Sequence, residues 1–368
     1  MKIGLEAERA NLPNPTGVER YAAELIRNLA AIDHINQYIL YFRTKPQEWF
    51  YTLPANFKIK VMPFPKFWTQ LRLSLEMILH PVDILMVPAS ALPFIHPKKS
   101  VVTVHDIAFE LFSGIYTGFM DYYQKFFARF AARHAVKIIT VSQSTKTDLM
   151  EKYKVPPEKI NVIYLAADPK FKCMSYGDVQ PVLDKHNLTY KKYILFVGTL
   201  QPRKNIIGLI DAFSKLKKEN RIEETLVIAG GKGWLFEPIL KKIKESEIAG
   251  SVRFLGYLND KDQVAIYNGA TLLTLPAFYE GFGLPPLEAM SCGVPVVVSN
   301  LSSLPEVVGE AGKLVDPTSI DSMAEGILEV LEDRELQKNM MEKGLAQAAK
   351  FSWRTTAKKT LEVFKTLK

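Results

Sequence analysis

The sequence predicts an α/β protein made of two doubly wound parallel-sheet domains in tandem, with a central cleft between their strand ends. Three observations carry this expectation. Short β-branched apolar runs alternate with helical periodicities along the chain. That alternation breaks after about residue 170 and resumes at 193. At 368 residues the chain is also too long for one ordinary hydrophobic core.

Taken in order, residues 1–5 read as an apolar strand, and a Pro/Gly/Asn-rich loop, NLPNPTG, separates them from a helix over Val18–Ala31. Strands are expected at YILYF (38–42), VDILMVP (82–88), VVTVHD (101–106) and KIITVS (137–142). Helices over Met120–Ala135 and Ser144–Tyr153 fall between or after them, the second capped by Ser142 or Ser144. With KINVIYLAAD (159–168) the first domain closes, giving it the span 1–170. Residues 171–192 carry Gly, Pro, Asp and Asn without a long apolar face and read as a linker. A second domain, 193–353, repeats the pattern at YILFVGTL (193–200), TLVIAGG (225–231), VRFLGYL (252–258), TLLTLP (271–276) and PVVVS (295–299). The terminal helix, 354–368, sets five cations against the single acid Glu362 and is expected to pack back on the first domain.

Composition excludes several classes. With 48% hydrophobic and 23% charged residues the chain is neither disordered nor coiled coil. Cys173 and Cys292 are too few for a disulfide framework or a four-ligand zinc site, which fits a reducing compartment. Glu6, Glu8 and Arg9 stand where a secretion signal needs its apolar core, and no run reaches membrane-spanning length. A cytoplasmic location is expected.

The net charge of +8 is uneven: residues 1–170 carry +6 and residues 171–368 carry +2. In the first half cations alternate with aromatics at Lys66, Phe67, Trp68 and Arg72, and again from Tyr123 through Lys125, Phe126, Phe127 and Arg129 to Arg133. Such stripes suit peripheral contact with anionic lipid at the inner membrane face, and equally suit amphipathic helices with rings turned inward. The aromatics form no recognisable DNA or RNA module, so nucleic acid is not an expected partner.

In an open parallel sheet, ligands bind beyond the carboxyl ends of the strands. The segment Phe278-Tyr-Glu-Gly-Phe-Gly-Leu-Pro-Pro-Leu-Glu-Ala-Met290 follows such a strand. A helix opening at Pro285–Pro286 would leave Glu280 on the loop, put Glu288 in the first turn, and direct the amides of Phe282, Gly283 and Leu284 at an anion. The blander alternative for both acids is a helix-dipole or solvated role. Arg203 and Lys204, two adjacent cations after the strand 193–200, could neutralise an anion, with bidentate geometry from the guanidinium. By themselves two such cations are equally an ordinary surface loop.

The 278–290 segment resembles the Glu-x7-Glu motif of retaining glycosyltransferases of family 4, whose GT-B architecture has two Rossmann-like lobes. VGTLQPRKNIIGLIDAF (197–213), which includes Gly198, is similar to that family's diphosphate-holding signature. NPTGVERY (14–21) resembles its glycine loop, with Gly17 against donor phosphate or sugar. VTVHDIAFE (102–110) resembles its His-Asp pair and places His105 beside the transferred sugar as a hydrogen-bond partner. VIAGGKGW (227–234) is similar to the turn beneath the nucleobase, formed by Gly230, Gly231 and Gly233, and NLSSLPEVVGEAG (300–312) to a supporting segment opened by Pro305 and Glu306. The family departs from this chain at Glu6, where relatives often carry Asp.

The resemblance implies transfer of a hexose from a nucleotide diphosphate sugar to a glycan or lipid-linked acceptor, with retained configuration and closure of the lobes. Glu280, His105, Arg203 and Lys204 would be catalytic. Gly17, Gly198, Gly230, Phe282, Gly283, Leu284 and Glu288 would hold the donor, Glu288 through the ribose. Likeness across TGVERY and VTVHDIAFE leans to GDP-mannose, with UDP-glucose or another UDP-sugar next. No cofactor or metal is expected, and Asp260-Lys261-Asp262, which spells a metal-binding Asp-x-Asp, reads instead as a helix N-cap at Asp260. Glu280→Ala is expected to keep the fold and nucleotide affinity while losing turnover. A non-hydrolysing nucleotide-sugar epimerase, a nicotinamide oxidoreductase and a silent nucleotide-sugar binder are the rival readings; no G-x-G-x-x-G follows the first strand to favour the oxidoreductase.

Overall fold

The computed structural model describes residues 1–12, 17–112, 119–231 and 233–368, together with the backbone but not the side chains of 119 and 120. The chain divides into two compact units, Met1–Leu165 with Ser352–Lys368, and Ala166–Phe351.

Unit 1 is built on a seven-stranded sheet. Its strands are β1 (Lys2–Glu6), β2 (Gln37–Phe42), β3 (Phe57–Val61), β4 (Ile84–Val87), β5 (Ser100–Val104), β6 (Lys137–Thr140) and β7 (Ile160–Val162). They lie in the order β3-β2-β1-β4-β5-β6-β7, and every pairing is parallel. Helices α1 (Gly17–Ile32), α2 (Leu73–Leu79), α3 (Ala108–Leu111), α4 (Phe119–His134) and α5 (Gln143–Tyr153) connect them. β4 and β5 are buried at every position, as a sheet covered on both faces requires. Ser142 caps α5 by accepting from the Thr145 amide, so of the two serines expected there the first does the work.

Unit 2 has six parallel strands: β8 (Tyr193–Val197), β9 (Thr225–Ala229), β10 (Val252–Gly256), β11 (Leu272–Leu275), β12 (Val296–Ser299) and β13 (Gly312–Val315). Their order is β10-β9-β8-β11-β12-β13. Its helices are α6 (Tyr176–Lys185), α7 (Ile206–Lys218), α8 (Glu237–Glu245), α9 (Asp260–Gly269), α10 (Leu284–Ser291), α11 (Leu304–Val308), α12 (Ile320–Glu332) and α13 (Arg334–Ala348). The last helix, α14 (Trp353–Lys365), belongs to unit 1 and lies against α1, burying Trp353, Ala357, Val363 and Phe364.

Residues 171–192, expected as a linker, contain α6. Ser175 caps it by accepting from the Asp178 amide, and Val179 and Leu183 seat it beside α9. Only two core residues anchor its ten positions and Pro181 interrupts them, which is why no long apolar face shows in the sequence. The edge strands β3 and β13 also went unforeseen, because FKIKV and GKLV mix lysine with their apolar residues. Lysine on an exposed edge discourages pairing with another chain.

Candidate functional site

Both sheets reverse their winding at one place, and there adjacent loops diverge to leave a crevice at the carboxyl ends. In unit 2 the reversal falls between the neighbours β8 and β11, paired at Ile194 with Leu272 and at Leu195 with Leu273. The loop after β8 carries Gly198, Arg203 and Lys204, and the loop after β11 carries Glu280. The Phe278 amide donates to the Arg203 carbonyl at 2.8 Å and ties the two loops together.

At that point three of the expected catalytic residues converge. The Lys204 ammonium pairs with one Glu280 carboxylate oxygen, and Arg203 Nη1 donates to the other at 3.3 Å and to the Tyr279 carbonyl at 2.9 Å. Gln201 accepts from Arg203 Nε at 3.0 Å and fixes the guanidinium from behind. Lys204 and Glu280 are only 6% and 7% exposed, so the pair is held in a poorly hydrated place. Burial alone would raise the Glu280 pKa, but Lys204 and then Arg203 overcome it and hold the carboxyl below its ordinary value. Glu280 is therefore ionised at neutral pH. As the counter-charge of two cations, Glu280 is placed to affect stability as well as chemistry.

Ser302 and Ser303, in the segment expected to support the site, hold this loop. Ser302 Oγ accepts from the Glu280 amide at 2.8 Å and lies 2.8 Å from the Glu280 carbonyl, while Ser303 Oγ approaches the Glu280 and Phe282 carbonyls at 2.8 and 2.7 Å. Their signal was the Ser-Ser ahead of Leu304-Pro305, where α11 begins.

Gly283 caps α10 with φ +109°, and a Cβ there would come within 2.7 Å of Leu304. Only glycine takes that turn without strain. The helix begins at Leu284, one residue before the prolines, so Glu288 is its fifth residue and not in the first turn as expected. Far from a helix-dipole acid, Glu288 is buried and accepts from the Tyr267 hydroxyl at 2.7 Å. Beside Gly198, the turn after β9 brings Gly230 into the same group: its φ is +146°, and a Cβ would overlap the Gly198 carbonyl. Lys232 lies outside the described residues.

Asp260 is the first residue of α9, but Asn259 is the cap, accepting from the Asp262 amide at 2.9 Å. Asp260 pairs with Lys170 at 2.6 Å and Asp262 with Lys185 at 2.6 Å. Asn wins the cap because its extended backbone stands one residue further out. Among the described residues no group of three His, Cys, Asp or Glu is placed to hold a metal ion.

In unit 1 the winding reverses between β1 and β4. Glu6 ends β1, and its Oε1 accepts from the Glu8 amide at 3.1 Å; burial pushes its pKa up to about 7. His105 follows β5, with Nε2 3.1 Å from the Pro88 carbonyl at the end of β4. Nε2 must therefore carry the proton and donate, which leaves Nδ1 as an acceptor. Burial holds the ring's pKa below its ordinary value, so it is neutral at pH 7. Tyr21, one turn into α1, packs edge-on against it at 4.9 Å and bonds Thr103 at 2.8 Å, bringing the helix that starts at Gly17 to His105. Residues 14–16 of the glycine loop lie outside the described residues.

Two parallel sheets with these switch-point loops have close counterparts among solved structures. The chain superposes on Anabaena Alr3699/HepE in complex with UDP-glucose with a TM-score of 0.78, 20% identity and full coverage of both chains. This is the GT-B fold of glycosyltransferases. Sequence relationships narrow the class: residues 15–171 match the model of Glycosyltransferase Family 4, and residues 181–347 match that of Glycosyl transferases group 1. The O-antigen chain mannosyltransferase B of Escherichia coli is 37% identical over 277 residues, which are 73% of this chain and 71% of that protein. The serotype-specific mannosyltransferase WbdA of Escherichia coli is 33% identical over 275 residues, 73% of this chain but only 33% of that much longer protein. The chain belongs to glycosyltransferase family 4.

Proposed function

We propose that this glycosyltransferase moves a mannosyl unit from GDP-mannose to a hydroxyl of a glycan or lipid-linked acceptor, with retained anomeric configuration and without a divalent ion. The observation that carries the reading is the convergence of Arg203 and Lys204 on Glu280 at the β8–β11 switch point. Mannose is supported by the relatives above, both named as mannosyltransferases.

As the bond from the anomeric carbon to the diphosphate breaks, negative charge gathers on phosphate oxygens, and a fixed guanidinium and ammonium meet it without reorganisation. The acceptor oxygen takes the anomeric carbon, and its proton leaves with the released diphosphate. At the α10 N-terminus Pro285 and Pro286 carry no N–H, so the donors it adds are the amides of Gly283 and Leu284. Glu280, kept ionised by its neighbours, supports the electron-poor sugar ring. His105 offers Nδ1 to a sugar hydroxyl and acts as a positioning acceptor, since a neutral imidazole held below its ordinary pKa is a weak base here. Glu288 takes the ribose hydroxyls in this scheme.

A panel of nucleotide sugars screened by thermal shift tests the donor, because a ligand bound only by the native state raises the melting temperature. GDP-mannose should give the largest rise; a larger response to UDP-glucose would reassign the base and sugar. Replacing Arg203 and Lys204 together by alanine should weaken GDP binding by roughly one to two orders of magnitude, from loss of two charge-assisted contacts. Unchanged calorimetric affinity, or activity that EDTA abolishes and manganese restores, would refute the metal-free cradle.

A further inference from the structure

Unit 1 carries a second surface that the transfer chemistry does not use. The aromatic–basic segments around 66–72 and 122–133, distant in sequence, meet in space, with the Phe67 and Tyr123 rings 6.0 Å apart. From Phe67 exposed apolar residues continue through Leu71, in the π-helical turn Trp68–Arg72, to Leu75, Ile78 and Leu79, whose spacing puts these last three on one face of α2. Leu75, Ile78 and Leu79 are 47%, 55% and 59% exposed, which is unusual for three large aliphatics on seven residues of helix.

Where the stripe reaches α4, a cavity of about 300 Å³ opens among Phe67, Leu71, Phe94, Tyr122 and Phe126. A second basin, of about 1020 Å³, shares Tyr122 and Phe126 with the first. Lys125, Arg129, Arg133, Lys152, Lys154 and Lys159 line it, and no carboxylate does. Asp121 pairs with Lys125, and Glu110 with Arg129 and with the hydroxyl of Tyr153 on the basin wall, but among the described residues Arg133, Lys152 and Lys154 have no acidic partner.

An occupant must therefore offer apolar depth and dense negative charge side by side. A leaflet containing anionic phospholipid does so, with acyl chains below and phosphates above. A second copy of this chain does not, because a two-fold contact would turn one basic basin onto another. We propose that this face of unit 1 seats on an anionic lipid bilayer, with Leu75, Ile78 and Leu79 entering the acyl boundary and the basin gathering lipid phosphates. The surface is independent of which sugar the enzyme transfers.

Sedimentation of the full chain with phosphatidylcholine vesicles, with and without phosphatidylglycerol, tests it. Binding should require phosphatidylglycerol, fall with salt, and weaken about fivefold per cation neutralised in Arg133→Gln, Lys152→Gln and Lys154→Gln. Leu75→Ser with Ile78→Ser should reduce binding further without lowering the melting temperature, since both side chains are exposed. Tryptophan emission from Tyr122→Trp should shift blue and be quenched by brominated lipid. Absence of binding, binding indifferent to both sets of changes, or concentration-dependent self-association abolished by the Leu75→Ser and Ile78→Ser pair would overturn the proposal; the last would make the face a contact between copies.

Discussion

Glu280 pairs with two cations in a poorly hydrated place. Glu280→Gln takes this carboxylate away from the buried Lys204, and breaking a buried pair costs about 3–5 kcal/mol. The expected result is a lower melting temperature at neutral pH, partly restored by GDP, whose phosphates replace the missing charge. Differential scanning fluorimetry with and without GDP checks it, and an unchanged apo melting point would contradict the pairing. Its folded-state pKa is depressed, so its stabilising contribution is present above the ordinary pKa of 4.5 and fades as pH falls through the folded value. Glu6 has the opposite sign. Burial raises it from 4.5 to about 7, so in that window the folded chain holds a proton that the unfolded chain has released, and stability declines as pH rises. Glu6→Gln should therefore stabilise unit 1 above pH 7, by on the order of 3 kcal/mol, with the gain shrinking towards pH 4.5. Parallel melting curves for mutant and wild type across that range would disprove the burial penalty.

The loops at the sheet switch points are set by backbone geometry before side chains act. Gly230→Ala would press a methyl group against the Gly198 carbonyl in a φ region that L-residues avoid. We expect a loss of about 2 kcal/mol or more in urea unfolding, with weaker nucleotide binding because the β8 loop must shift. A change below about 0.5 kcal/mol would mean the turn has slack. Most strands were legible because a parallel strand buried on both faces reads as a continuous β-branched run, as VVTV and VVVS do. β3 and α6 were not. An edge strand keeps lysine among its apolar residues, and a short helix that needs only Val179 and Leu183 leaves too faint a period to find. The start of α10 was misjudged by one residue because proline is tolerated throughout a first turn and does not mark which position opens it.

Across the whole molecule, α14 returns from the end of unit 2 to complete unit 1. Trp353 and Phe364 are 4% and 0% exposed, and Thr356 Oγ1 donates to the Tyr164 carbonyl at 2.7 Å. Burying large apolar side chains contributes about 1.5–3 kcal/mol each. A chain ending before Ser352 should lower the calorimetric transition of unit 1 while leaving that of unit 2 in place; a single unaltered transition would show that α14 contributes little. Arg203, Lys204, Glu280 and His105 were singled out through the family resemblance of their segments, and the structure brings Arg203, Lys204 and Glu280 together. Local pattern also settled the two-sheet α/β class, since periodicity is a property of neighbouring residues. The tertiary structure alone decided that Lys204 and Arg203 neutralise Glu280, that Ser302 and Ser303 brace its loop, that Tyr267 holds Glu288, and that two distant aromatic stripes form one face. Each of these joins residues far apart in the chain, and such distances are closed only by the order in which the strands pair.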